Sequence, residues 1–189
     1  MTSADSSVRR TVLVVCFGNL CRSPMAEALL RIRLPESEWR VISAGTHAVG
    51  GDPPTHGSQL AMSRIAGLDI SAQRSEALTD SMLREADFVF TMSRRQAFEA
   101  AALRPEAASK IRLLGAFAPA TGESFGPADP YGHSADALEV ADPMGGDQAM
   151  YDACCERLTD SANGAVDWLV RGADLDEAPA PVASWLSGP

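Results

Sequence analysis

A thiol and a guanidinium six positions apart, Cys16 and Arg22, are the residues of this chain best placed to do chemistry. They bracket the run Cys16-Phe17-Gly18-Asn19-Leu20-Cys21-Arg22-Ser23-Pro24. A cysteine sulfur is a strong nucleophile, and a planar guanidinium fork grips two oxygens of a tetrahedral anion at once. Gly18 suits an unusual backbone angle in the turn between them. Ser23 is placed either to cap a helix or to hydrogen-bond the Cys16 sulfur. If residues 17–22 turn tightly, their backbone N–H groups converge on a concave anion site, and a helix N-terminus adds favourable potential. A thiolate facing such a cradle points to attack on phosphorus. The Gly-Lys-Ser/Thr ending of a nucleotide-binding phosphate loop is missing. An inert buried cysteine is the bland alternative.

The elements needed to hold this turn are visible around it. Thr11–Val15 is a continuous β-branched and apolar run, expected as a buried central strand that Cys16 ends. Pro24, Met25, Ala28, Leu29 and Ile32 follow with helical spacing. Further strands are expected at Trp39–Ser43, Asp87–Thr91 and Lys110–Leu114. Helices are expected at His56–Ala66, at Asp80–Glu85 behind a Thr79 cap, from Ser93 to near Leu103, and from about Gly146 to Val170. The alternation predicts an α/β fold: a four-stranded parallel sheet with helices on both faces and the phosphate-binding loop after the first strand. Ala118–Leu138, rich in Gly, Pro, Asp and Ser, is expected as a long loop. The packed domain is expected over residues 11–171, with 1–10 and 172–189 as terminal tails.

The segment Val12–Arg31, VLVVCFGNLCRSPMAEALLR, resembles the signature of low-molecular-weight protein tyrosine phosphatases. The resemblance continues through Ser43-Ala44-Gly45-Thr46, Gly67-Leu68-Asp69-Ile70-Ser71, Ala86–Met92 and Asp142-Pro143, covering about residues 11–170. It implies hydrolysis of phosphotyrosine, an aryl phosphate, through a cysteinyl-phosphate intermediate and without a cofactor or metal. Cys16 would be the nucleophile. Arg22 and the N–H groups of Phe17, Gly18, Asn19, Leu20 and Cys21 would bind the phosphate, with Asn19 bracing the loop and Ser23 assisting the sulfur. Cys21 would either pair reversibly with Cys16 in a protective disulfide or simply pack. The departing phenolate needs an acid, and two Asp-Pro dipeptides offer one, Asp129-Pro130 and Asp142-Pro143. A following proline keeps an aspartate extended. Asp142, just before the last helix, is preferred because the family places its acid there; Asp129 is the alternative.

Departures from the family pattern bear on the substrate. Met144-Gly145-Gly146 stand where phosphotyrosine-selective members often carry tyrosines, and His47, Ala48 and Val49 offer no evident aromatic wall. Gln73-Arg74 stands where a histidine often occurs. Three other readings therefore stay open: arsenate reductase, protein-arginine phosphatase, and a phospho-residue reader without turnover. The first needs relay cysteines, and only Cys154 and Cys155 remain, expected as packing residues of the last helix. The second carries threonine where Leu20 stands. The third is disfavoured by the presence of both a nucleophile and an acid.

Bulk properties bound the rest. The chain has 189 residues, 46% hydrophobic and 22% charged, as expected for one globular domain. A net charge of −9 argues against nucleic acid as a partner. No apolar run is long enough to span a bilayer, and residues 1–10 lack a signal peptide's apolar stretch, so a cytoplasmic location is expected. The resemblance implies a phosphotyrosine-containing protein as partner, a bacterial tyrosine kinase among the candidates. It leaves the oligomeric state open.

Overall fold

A computed structural model describes residues 9–119, 138–173, 179 and 181. Most of the loop expected over 118–138, with Asp129, and most of the tail after 171 lie outside the described residues. The observed strands are β1 (Arg10–Cys16), β2 (Trp39–Gly45), β3 (Phe88–Thr91) and β4 (Ile111–Leu113). The helices are α1 (Arg22–Arg31), α2 (His56–Ala61), α3 (Asp80–Glu85), α4 (Arg94–Leu103) and α5 (Gln148–Val170). The sheet is parallel throughout, in the order β2-β1-β3-β4.

That order makes β1 the point where the chain switches direction across the sheet. In open α/β sheets the crevice outside the carboxyl ends of the strands at such a point is the usual ligand site. Cys16 is the last residue of β1. Val12 to Val15 are fully buried, and their side chains alternate between two cores. Val12, Val14 and Cys16 pack with α1 and α5, whereas Leu13 and Val15 pack with Leu83 of α3 and the alanines of α4. This is the period of two expected of a strand covered on both faces.

Local sequence explains most boundaries. Thr55, Thr79, Ser93 and Asp147 cap α2, α3, α4 and α5, each accepting a hydrogen bond from a first-turn backbone N–H. The helical segment expected at His56–Ala66 keeps its length, but its second half, Met62–Ala66, widens into a π-helical turn that ends on left-handed Gly67 (φ 67°). β4 is shorter than the expected Lys110–Leu114 because 3-10 turns at Pro105–Lys110 and Leu114–Phe117 flank it. α5 begins at Gln148 rather than Gly146, since Asp147 takes the cap. Its stripe of Tyr151, Cys154, Leu158, Ala162, Ala165 and Leu169 is buried as the spacing predicts. Ala173, just past the expected boundary at 171, is buried in the same core.

Candidate active site

The loop from Cys16 to Arg22 is fixed from beneath by one saturated side chain. Asn19 sits in the left-handed region (φ 55°), which an asparagine tolerates better than most residues. Its Oδ1 accepts the backbone N–H of Glu76 (2.8 Å), which orients the amide. Its Nδ2 then donates to both Ser23 Oγ and Ser43 Oγ, each at 2.9 Å. Ser43 donates onward to Glu27 Oε2 (2.6 Å). Burial is the main cause that raises the Glu27 carboxyl above the usual range, opposed by the Ser43 bond and by Arg31. The left-handed angle in this turn falls on Asn19 rather than on Gly18, so the side chain at that position can act as the brace.

The nucleophile sits inside this frame. Cys16 is only 2% exposed. Its sulfur lies 3.0 Å from Ser23 Oγ and accepts the Asn19 backbone N–H at 3.2 Å. Ser23 Oγ already accepts from Asn19, so its single proton goes to a nearby acceptor. The sulfur at 3.0 Å is nearer than the Ala44 carbonyl at 3.4 Å. Ser23 is therefore not the helix cap: α1 begins at Arg22, and Cys21 precedes it with no side-chain capping bond. The hydroxyl turns inward to the sulfur, leaving the first amides of α1 without a competing side chain.

Arg22 is buried, with Nη1 donating to the Val140 carbonyl (3.1 Å) and Nη2 to the Asp142 carboxylate. Its Nε has no hydrogen-bond partner among the described residues. A buried guanidinium donor left unsatisfied costs stability, and a tetrahedral anion over the loop is an acceptor of the right charge. Asp142 Oδ1 accepts the Met144 N–H (3.2 Å), which holds the carboxylate at the site edge. The structure thus brings Cys16, Arg22, Ser23 and Asp142 together; Asp129 lies outside the described residues.

These residues open on a cavity of about 250 Å3, lined also by Leu20, Met144 and the segment His47–Val49. An aromatic wall does exist, contrary to expectation: Phe17 and His47 stack, with ring centroids 4.4 Å apart and planes 12° off parallel. The stack was hidden because its members stand on different strands' ends, and a histidine does not announce itself as a wall.

Cys21 is buried, with its thiol 3.4 Å from Thr55 Oγ1, and burial chiefly pushes that thiol up. All four cysteines are free. Cys154 and Cys155 are buried on α5; desolvation raises both, Cys155 to about 11. Gln73 takes up a bond to the Pro24 carbonyl (3.3 Å) beneath α1.

Gly45, Ser43 and Glu27 escaped the residue-level reading. β1 and β2 pair with Cys16 beside Gly45. A Cβ on Gly45 would lie 2.6 Å from the Phe17 carbonyl oxygen and 2.8 Å from Asn19 N, so only glycine lets the loop rest on β2. The adjacent Thr46 and His47 N–H groups donate to the Cys16 and Phe17 carbonyls (3.0 and 2.8 Å). The available signal was Ser43-Ala44-Gly45-Thr46 at the end of the neighbouring strand.

Comparison with known proteins follows the same lines. The family model described as low molecular weight phosphotyrosine protein phosphatase matches residues 11–175. The chain is 40% identical over 132 residues to a probable low molecular weight protein-tyrosine-phosphatase EpsP of Ralstonia nicotianae, spanning 70% of this chain and 86% of that one. Among solved structures it is similar to the tyrosine phosphatase Wzb from Escherichia coli K30 in complex with sulphate (TM-score 0.70, 25% identity, 86% of this chain and 99% of that one). It is also similar to the YwlE arginine phosphatase from Geobacillus stearothermophilus (TM-score 0.70, 26% identity, 90% and 98%).

Proposed function

The chain belongs to the low molecular weight phosphotyrosine protein phosphatase family, and from that premise we propose how its own residues hydrolyse an aryl phosphate. It is a cysteine-dependent protein-tyrosine-phosphatase. Cys16 attacks phosphorus, forming an S–P bond as the P–O bond to the phenol breaks. Arg22 and the N–H groups of residues 17–22 take up the charge on the equatorial oxygens, where fixed donors are worth most. Asp142 gives its proton to the departing phenolate. In the second step the same carboxylate takes a proton from water, whose oxygen displaces the sulfur from phosphorus. Ser23, 3.0 Å from Sγ, donates to the thiolate as it leaves.

The observation that carries this reading is the convergence on one loop of a sulfur in contact with Ser23 Oγ and the Asn19 N–H, a buried guanidinium whose Nε–H has no partner among the described residues, and a carboxylate beside it. The arsenate-reductase reading is disfavoured because Cys154 and Cys155 are buried and held as thiols, a poor start for a thiolate relay. Leu20 on the cavity wall favours a flat apolar ring over phosphoarginine. The macromolecular substrate is a phosphotyrosine-bearing protein, and a bacterial tyrosine kinase fits that description. No described helix is long and apolar enough to cross a membrane; a cytoplasmic location belongs to this proposal.

The test is release of phenol from an aryl phosphate, across pH, by wild type, Cys16→Ser, Asp142→Asn and Asp129→Asn under reducing conditions. Cys16→Ser is expected to be inactive, and Asp142→Asn to lose roughly 10²- to 10⁴-fold in kcat, the range of a general acid. Asp129→Asn is expected to stay near wild type. The reverse ranking of the two aspartates would move the acid to Asp129, and an inactive wild type would sink the catalytic reading.

A further inference from the structure

β2 lies at one edge of the sheet, and successive residues of a strand point their backbone N–H and C=O groups to opposite sides. Gly45 turns both of its groups away from β1: its N–H donates to the Glu76 carbonyl and its carbonyl accepts the Leu78 N–H, each at 2.9 Å. At the other end the Trp39 N–H donates to the Pro35 carbonyl, also at 2.9 Å. By the same alternation Val41 and Ser43 face outward, and their backbone groups have no hydrogen-bond partner among the described residues. Both ends of this edge are covered, and its middle is an open window onto which a further strand can pair. The window lies in a groove of about 520 Å3 whose apolar lining includes Ile32, Ile42 and Leu68, with Ile32 57% exposed. The charged groups of the groove are Glu27, Asp69 and Glu76 against Arg31 and Arg74. Both arginines are engaged, Arg31 with Glu27 (3.2 Å) and Arg74 with the Ser71 and Gln73 carbonyls (2.9 and 2.7 Å). Asp69, which accepts the Ser71 N–H (2.8 Å), and Glu76 have no ion-pair partner among the described residues. The groove adjoins the catalytic cavity, since Ser75 lines the cavity and Glu76 lines the groove.

We propose that the open edge of β2 binds an extended segment of the phosphoprotein substrate by strand addition, with apolar side chains against Ile32 and Leu68 and basic ones toward Asp69 and Glu76. This rests on the phosphatase reading and deepens it by naming the kind of polypeptide that flanks the phosphorylated residue. Backbone bonds to Val41 and Ser43 give affinity for any extended chain, and the side chains along it give the preference. Because a strand alternates its two faces, apolar and basic residues follow one another in the favoured segment. The chain's net charge of −9 draws a basic segment toward it as well. The groove lies outside the reacting atoms and holds the segment equally in the bound substrate and the transition state, so it lowers KM and leaves kcat unchanged.

The probes are phosphotyrosine peptides extended, on the amino or the carboxyl side, by alternating valine and lysine over about six residues, a span of about 20 Å. The controls are acetyl-phosphotyrosine amide and the same peptides with glutamate in place of lysine. One of the valine–lysine peptides is expected to show a KM roughly three- to tenfold below both controls, the worth of a few net backbone bonds and contacts. Ile32→Ser and Asp69→Asn, the second of which keeps an acceptor for the Ser71 N–H, should remove most of that gain. Their kcat/KM on phenyl phosphate should stay within about twofold of wild type. In Cys16→Ser, which leaves the peptide intact, saturation should slow amide hydrogen exchange at Val41 and Ser43 about tenfold or more, with Ile42 and Ala44, already paired to β1, as the reference. No gain from either extension, an equal gain from the glutamate peptides, a gain retained in both variants, or unchanged exchange at Val41 and Ser43 would overturn the inference. Protection of these two amides in the free protein that disappears on dilution would give the edge to a second copy of the chain and overturn it too. Wild type inactive on phenyl phosphate is a different failure, that of the catalytic reading itself.

Discussion

The floor and the rim of the cavity are built on opposite principles. In the floor, Cys16, Asn19, Arg22 and Ser23 are all buried, and Asn19 spends every hydrogen-bonding group of its side chain on named partners. At the rim, Phe17 is 41% exposed and Val49 96%, and Met144 faces solvent. A buried polar group left without its partner costs about 1–3 kcal/mol, whereas an exposed side chain exchanges its contacts for water at little cost. The floor therefore has one arrangement, and the rim can be rebuilt residue by residue. On the proposed reading, catalysis belongs to the floor and substrate preference to the rim, with Phe17 on the boundary between them.

Gly45 gives the sharpest way to break that contrast. It touches no substrate, yet a methyl group there meets loop backbone at 2.6–2.8 Å, closer than real contacts allow. Gly45→Ala must push the loop off β2 or open the β1–β2 pairing beside Cys16. Displacing reacting groups by about 1 Å costs roughly 10²-fold, so kcat/KM on an aryl phosphate is expected to fall at least that far. The rim variant His47→Ala should cost far less. If Gly45→Ala stays within about threefold of wild type, the floor is more compliant than its hydrogen bonds imply.

The same contrast explains what could be read from the sequence. Cys16, Arg22 and the strand–loop–helix order were legible because their residue types and spacing carry the chemistry locally. The cap at Thr79, the helix start near Ser93 and the buried stripe of α5 were legible for the same reason. Asn19 as the left-handed residue, Gly45 as the loop's rest and Glu27 as the end of the hydrogen-bond chain were not. Asn19 and Glu27 owe their roles to residues 16 or more positions away, and Gly45 to a strand pairing that composition does not display. Ser23 could be narrowed only to two roles, cap or sulfur partner, because choosing needs the helix start to within one residue. The rim was least legible, since the His47 wall depends on Phe17 and Glu99 from separate elements.

Met144→Tyr sharpens the comparison from the rim side. Met144 is 40% exposed and lines the cavity, so a tyrosine there displaces no core contact. Adding a second aromatic surface should lower KM for a phosphotyrosine peptide roughly three- to tenfold, the value of one aromatic pair. The thermal midpoint should be unchanged. A loss of activity together with a lowered midpoint would mean that the rim is as tightly determined as the floor.

The smallest expected effect marks where the floor ends. Glu27 closes the chain Ser23–Asn19–Ser43–Glu27, and burial raises its carboxyl above the usual glutamate range. Between the unfolded value, about 4.3, and that raised native value, the folded protein holds a proton that the unfolded chain has released. Wild-type stability therefore falls as pH rises through this window, because at Glu27 burial outweighs the ion pair with Arg31. Glu27→Gln keeps an oxygen to accept the Ser43 proton but does not titrate. Its thermal midpoint relative to wild type is expected to climb as pH rises from about 4 toward neutrality and then to level off once Glu27 is ionised in the folded protein. The kcat on an aryl phosphate should change less than about twofold, because Ser43 still has an acceptor and Asn19 keeps its place. A tenfold drop in kcat would show that the charge on Glu27 is felt at the sulfur through three intervening side chains. The catalytic floor would then extend as far as Glu27, which borders the second groove with Arg31, Ile42 and Gln73.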